Sequence, residues 1–302
     1  MHVIQNQQGK VVIARQYTIE TSHGSLAVEE SGQGEIPLVM IHGNSYCRGV
    51  FRHQLHSSLT SNHRLIAFDL PGSGESSDAP DPERTYTLQG SADAAIELLG
   101  KLGVTNAIVF GWSLGGLIGI EMIPRFAGLR GLMITGTPPV GPDEIAQAIK
   151  SMPTLGLAVK DKLSPAEVDA YVQGTIGKSA EPFMCEAVAR ADGRFRTTAF
   201  AKFSTNPGPT PRQIVESSPT PIAVVNGGAE PSLNVDYVET IRYANLWQKH
   251  CYRLAGLGHA PFWESPGEFN PLLERFLADV ESGRASAHAR REGASFTERI
   301  EQ

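Results

Sequence analysis

Cysteine is scarce in this 302-residue chain: Cys47, Cys185 and Cys251 are the only three, and they lie far apart. An odd number at such spacing offers neither a close metal pair nor a disulfide framework, so free thiols in a reducing compartment are expected. Long apolar runs are missing too; none approaches the roughly 18–20 residues needed to cross a bilayer. Positive charge is in deficit, with 26 Lys and Arg against 32 Asp and Glu and a formal net charge of -6. That balance argues against a nucleic-acid surface, where Lys and Arg cluster. The opening residues, Met1-His2-Val3-Ile4-Gln5-Asn6-Gln7-Gln8, lack the basic-then-apolar layout of a secretory signal, and a cytoplasmic protein is expected. His53, His56 and His63 invite a metal reading, but their segment is polar and offers no partner carboxylates. Surface or capping histidines are expected there, and no metal or other cofactor.

What the chain does have is material for a substantial core, as one large domain or a domain with an insertion. Hydrophobic residues make up 41% and charged ones 19%, the balance of an ordinary globular protein. Residues 1–16 have weak character and form either an extra strand or an arm. Tyr17 to Glu30 alternates around a Ser22-His23-Gly24 turn, which predicts a β-hairpin. Five short apolar runs follow, at 36–41, 64–70, 107–110, 132–135 and 221–225. Runs apolar on both faces belong in a parallel sheet covered by helices. The spacers at 92–102, 114–123 and 269–280 read as those helices, so an α/β fold with a parallel sheet is predicted. Ligands in such folds sit beyond the carboxyl ends of the strands, and the glycine-rich corners of this chain fall at those ends.

Between Pro138 and Thr210 the strand pattern stops. Ser164-Pro165-Ala166-Glu167 is a capping box with proline at the first helical position. Residues 143–152, 181–190 and 194–203 also read as helices, before the Pro-rich break at 205–211. The resulting division is an arm over 1–16, a core over 17–139 and 211–281, a helical insertion over 140–210, and a disordered tail over 282–302. The insertion is either a cap over the carboxyl edge of the sheet or a helical decoration packed elsewhere.

Gly111-Trp112-Ser113-Leu114-Gly115 follows the third run and opens a helical pattern. A serine at such a strand-to-helix corner is held in a strained turn with its hydroxyl thrust outward, the layout of a nucleophile elbow. A serine hydroxyl needs a base. His259, in the small-residue turn Ala255-Gly256-Leu257-Gly258-His259-Ala260-Pro261, stands at the matching edge. His250 opens the preceding strand and belongs at the opposite edge. The histidine in turn needs a carboxylate. Glu230 is the acid in the loop after the fifth run, whereas Asp236 comes later, where a helix should begin; Glu230 is read as that acid or else as a solvated loop charge. Ser113, Glu230 and His259 follow the α/β-hydrolase order. The oxyanion requires backbone donors, for which the N–H groups of Leu114 and Asn44 are the candidates. The Asn44 side chain either adds a contact or caps the following helix.

The turn His42-Gly43-Asn44, the run F-D-L-P-G-S-G-E-S at 68–76, G-W-S-L-G-G at 111–116 and G-H-A-P-F at 258–262 together resemble the α/β-hydrolase superfamily over roughly residues 17–281. Members usually carry Asp where this chain has Glu230. The segments V-F-G-W-S-L-G-G, G-L-M-I-T-G-T-P-P-V and P-I-A-V-V-N-G-G-A-E-P resemble the metal-independent N-acyl-homoserine lactonases of this fold, which use a Ser-His-Glu triad. The resemblance implies a mostly parallel sheet flanked by helices, with a helical cap inserted after the fourth parallel strand. It implies that Tyr171 of the cap helps bind substrate and that Trp112 lines the pocket. Met152, Leu155, Leu157, Met184, Phe200 and Phe203 are candidates to hold an acyl chain. The implied partner is a small-molecule ester or lactone. A carboxylesterase for linear esters, or a low-turnover ligand receptor on the same scaffold, would need the same residues. Haloalkane dehalogenase and epoxide hydrolase readings are disfavoured, because both use a carboxylate nucleophile where this chain has Ser113.

Overall fold

The protein is represented by a computed structural model that describes residues 2–5, 11–205 and 208–285. Among these residues nine strands form one sheet: β1 (His2–Gln5), β2 (Val11–Thr21), β3 (Gly24–Ser31), β4 (Leu38–Ile41), β5 (Leu65–Phe68), β6 (Ala107–Trp112), β7 (Leu129–Thr135), β8 (Ile222–Gly227) and β9 (Leu246–Leu254). Their spatial order is β1-β2-β3-β5-β4-β6-β7-β8-β9. The first three strands and the β3–β5 pairing are antiparallel, and β5-β4-β6-β7-β8-β9 run parallel.

Every residue of β4, β5, β6 and β8 is buried, because the sheet has a core on each face. Side chains alternate between faces with a period of two. Val39, Ile41, Ala107 and Val109 enter one apolar cluster, joined by Leu98 of the Leu88–Lys101 helix and Ile118 of the Leu114–Met122 helix. Leu38, Met40, Ile108 and Phe110 enter the other, with Phe269, Leu273 and Phe276 of the Pro266–Glu281 helix. Burying each of these side chains other than Ala107 contributes about 2 kcal/mol.

The helical stretch expected after the fourth parallel strand follows β7 and precedes β8. Its main helices are Pro165–Thr175, Pro182–Arg190 and Gly193–Phe203. Ser164 and Glu167 form the capping box, with the Ser164 N–H donating to the Glu167 carboxylate at 2.9 Å. The helix expected over 143–152 is reduced to a 3-10 turn and the single turn Ile145–Ala148. Ile149 is extended there and bridges Leu233, and the Lys150 N–H donates to the Ser232 carbonyl at 2.6 Å. That tertiary pairing outweighs local helix propensity.

Of the two readings for residues 1–16, residues 2–5 and 11–16 are strand; the remainder of the arm lies outside the described residues. So do residues 206–207 of the Pro-rich break and residues 286–302 of the expected tail. His250 lies inside β9 rather than at its start; it is exposed, and its ring is 4.7 Å from that of Tyr252. Two of the three histidines expected to lack carboxylates do meet one. His56 is 3.3 Å from Glu29, and the buried His63 is 3.1 Å from Glu281. Sequence distance hid both partners. His53 packs on Trp263, with ring centroids 4.6 Å apart. Among the described residues no group of three or more His, Cys, Asp or Glu is placed to hold a metal ion, and no helix is long and apolar enough to cross a membrane. The three cysteines are free.

Candidate active site

β6 ends at Trp112 and the next helix begins at Leu114, which leaves Ser113 at the corner with φ 54° and ψ -117°. A non-glycine residue there is strained, and only closely packed surroundings hold it. The glycines on either side explain how the corner closes. A Cβ on Gly111 would lie 2.4 Å from the Gly115 carbonyl oxygen, and one on Gly115 would lie 2.0 Å from that of Ile41. The Ser113 N–H donates to the Thr135 carbonyl at 2.8 Å, and the Thr137 hydroxyl donates to the Ser113 carbonyl at 2.9 Å. The Ser113 side chain does not cap the helix; it faces a cavity. Gly115→Ala should therefore destabilise the fold by about 3 kcal/mol through overpacking, read as a lowered denaturation midpoint. An unchanged midpoint would contradict this account of the corner.

His259 follows β9 in a turn pinned by Glu264, whose carboxylate accepts from the N–H groups of Gly258 at 2.8 Å and Ala260 at 3.1 Å. Trp112 donates its indole N–H to the His259 carbonyl at 3.0 Å. Gly136 backs the imidazole at φ 60°, where a Cβ would come within 2.7 Å of the ring. The ring Nδ1 is 2.8 and 3.0 Å from the two carboxylate oxygens of Glu230.

Glu230 follows β8 and is 2% exposed, so it is no solvated loop charge. Its Oε1 also accepts from the Ser232 N–H and hydroxyl, each at 2.9 Å, and from the Leu233 N–H at 3.2 Å. Burial pushes its carboxyl up. The charge and hydrogen bond of His259, with the Ser232 and Leu233 amides, win and bring it down to about 2. His259 shows the mirror image: burial lowers it, yet the adjacent Glu230 carboxylate raises it above its ordinary value. Asp236, the rejected acid, is on the Val235–Glu239 helix and pairs with Arg253 at 2.7 Å.

Asn44 lies beyond β4 and lines the same cavity as Ser113, Leu114 and His259. Leu114 is the first residue of its helix, where an N–H has no intrahelical acceptor and the dipole favours negative charge. The Asn44 side chain does not cap the helix that follows. Its amide donates to the Ala158 carbonyl at 2.9 Å, because the segment after β7 folds over this turn. Tyr171 donates its hydroxyl to the Asn44 carbonyl at 3.1 Å. Trp112, almost wholly buried, packs beneath Gly43 and against Tyr46, ring centroids 4.8 Å apart.

The cavity has a volume of about 500 Å³, in the range of small-molecule sites. Met152, Leu155, Phe200 and Phe203 line it, and so do Tyr171 and Trp112. Leu157 and Met184 do not: Met184 is buried in the core cluster of the second sheet face, and Leu157 is partly buried against it. Leu155 and Phe200, 43% and 51% exposed, leave an apolar edge open to solvent. Sequence reasoning missed Tyr46, Ser232 and Arg196 at the site. A serine two residues after the acid is a turn signal that could have found Ser232; nothing local marks the other two.

A family model described as the alpha/beta hydrolase family matches residues 38–272. The crystal structure of the N-acyl homoserine lactonase AidH superposes with a TM-score of 0.86 at 46% identity, covering 89% of this chain and 98% of that one. AidH has been crystallised with N-butanoyl homoserine, with N-hexanoyl homoserine in a glutamate-to-glycine mutant, and with N-hexanoyl homoserine lactone in a serine-to-glycine mutant. Among curated proteins, the pimeloyl-[acyl-carrier protein] methyl ester esterase of Shewanella woodyi is 33% identical over 53% of this chain and 55% of its own length. A haloalkane dehalogenase of Psychrobacter cryohalolentis is 29% identical over 48% and 52%. The chain thus spans about half the length of the curated relatives it matches. With the elbow, the strand order and the family match in agreement, the chain belongs to the alpha/beta hydrolase family.

Proposed function

We propose that this protein opens the lactone ring of N-acyl-homoserine lactones, and so degrades quorum-sensing signals, through a Ser113-His259-Glu230 triad. One observation carries the lactone reading: the 46% identity with AidH along almost the whole of that chain. The serine and the glutamate replaced in the AidH mutants stand the same number of residues apart as Ser113 and Glu230. The serine mutant holds the closed lactone and the glutamate mutant the opened homoserine, which supports a serine that attacks the ring.

In this mechanism the Ser113 oxygen bonds to the lactone carbonyl carbon while His259 takes its proton. The oxyanion is held by the Leu114 and Asn44 amides. Collapse breaks the ring C–O bond, and His259 returns the proton to the ring oxygen. The alcohol formed stays tethered to the acyl group and can re-attack, so turnover requires water to deacylate Ser113. His259 activates that water. Residues 140–210 act as a cap over the site, and Met152, Leu155, Phe200 and Phe203 hold the acyl chain.

The test is a rate comparison on acyl-homoserine lactones and aryl esters of matched chain length. A lactone preference is expected, with a product that re-closes in acid, as an acylase product does not. A large preference for aryl esters would transfer the assignment to a carboxylesterase, the reading that the Shewanella woodyi esterase favours. The dehalogenase relative gives no comparable support, because Ser113 stands where that chemistry needs a carboxylate.

A further inference from the structure

Arg196 is a buried charge that the proposed mechanism leaves unused. It lies on the Gly193–Phe203 helix, is 4% exposed, and lines the cavity that holds Ser113. Its Nε donates to the Lys160 carbonyl at 2.6 Å and its Nη2 to the Asp161 carbonyl at 2.5 Å. Its Nη1 donates to the Ser45 hydroxyl at 2.8 Å. These three acceptors are neutral, and burial lowers the affinity of the guanidinium for its proton. The Asp161 and Asp192 carboxylates attract the charge at longer range, but burial outweighs them; an apolar side chain of like volume would fill the space more cheaply.

Ser45 gives the arrangement a purpose. It has φ 67°, a region that favours glycine, and no glycine is used. Its hydroxyl accepts from Arg196 and donates to the Asn44 Oδ1 at 3.2 Å. Asn44 is further tied by Ala158 and Tyr171. The turn that carries the Asn44 amide is thus clamped by the segment between β7 and β8.

We propose that Arg196 is a positioning residue: through Ser45 it fixes the Asn44 amide where the oxyanion forms, so the oxyanion hole is complete only with that segment docked. This rests on the reading of Asn44 as an oxyanion donor. Arg196→Met keeps the volume and removes the donors, and Ser45→Gly removes the hydroxyl while suiting the backbone. Each variant should lower kcat about 100-fold, the scale of a lost oxyanion donor, with KM within about threefold. Combining them should cost no more than the worse single change, because both break one chain of contacts. Arg196→Lys should recover part of the rate, and the acid limb of the pH–rate profile should not move. Where Arg196→Met fails to fold, Ser45→Gly with an unchanged denaturation midpoint decides. A Ser45→Gly enzyme with kcat near wild type, multiplying effects, or a loss confined to KM would overturn the proposal. Ser113→Ala measured beside them separates the levels: an active Ser113→Ala enzyme removes the hydrolase mechanism itself, whereas an inactive one beside a fully active Ser45→Gly enzyme removes the role of Arg196 alone.

Discussion

Replacing Ser113 by alanine is expected to lower kcat/KM on an acyl-homoserine lactone by about 10⁴-fold or more, the range seen when a triad serine is removed. That corresponds to about 5.5 kcal/mol of lost transition-state stabilisation. The lactone should still bind, because the apolar walls and the Asn44 turn are untouched. A residual rate within tenfold of wild type would move the nucleophile elsewhere. Loss of ligand binding, in a wild-type protein with no turnover, would favour a receptor instead.

Stability separates two inactive variants at the same position. Alanine keeps a Cβ at φ 54° and so keeps the strain of the corner, whereas glycine removes it. Ser113→Gly should therefore be about 1 kcal/mol more stable than Ser113→Ala, with both equally inactive. Calorimetry of the two proteins at one pH checks this. Equal midpoints would mean that the corner is not strained. A gain for glycine would mark a corner whose strain is kept so that the side chain can face the cavity.

The elbow was legible because its glycines record a local steric demand: Gly111 and Gly115 each face backbone atoms closer than any side chain permits. The central strands were legible for a similar reason, since burial on both faces leaves no polar position in β4 or β6. Glu230 and His259 could be found because strand ends in a parallel sheet converge on one edge. Other features depend on contacts distant in sequence. Nothing near Arg196 announces that Ser45 lies beside it. Leu157 and Met184 look as fit for an acyl chain as Met152, and only the orientation of their segments turns them toward the core cluster instead of the cavity. The shortened helix at 145–148 and the partners of His56 and His63 were hidden in the same way.

Glu230→Gln should act on both the height and the position of the pH–rate profile. In the proposed mechanism His259 must be neutral to accept the Ser113 proton, so kcat/KM should fall as pH drops through its pKa. In the wild type the Glu230 carboxylate raises that pKa above its ordinary value against the effect of burial. Glu230 itself, held at about 2, stays ionised throughout the working range. An uncharged glutamine removes the Glu230 attraction and leaves the burial, opposed only by the weaker pull of Glu264, so the His259 pKa falls. The acid limb then moves to lower pH. The plateau falls at the same time, by about 10⁴-fold, because the imidazolium formed in the transition state loses its counter-charge and its ring loses the correct tautomer. Ser232, whose hydroxyl lies 3.4 Å from the His259 Nδ1, cannot replace that charge. Glu230→Asp keeps the charge on a shorter arm and should retain an acid limb above that of Glu230→Gln, with a smaller loss in rate. Profiles of kcat/KM between pH 5 and 9 on one lactone, corrected for spontaneous ring opening, measure all three. An acid limb that stays in place in Glu230→Gln would show that a group other than His259 accepts the proton.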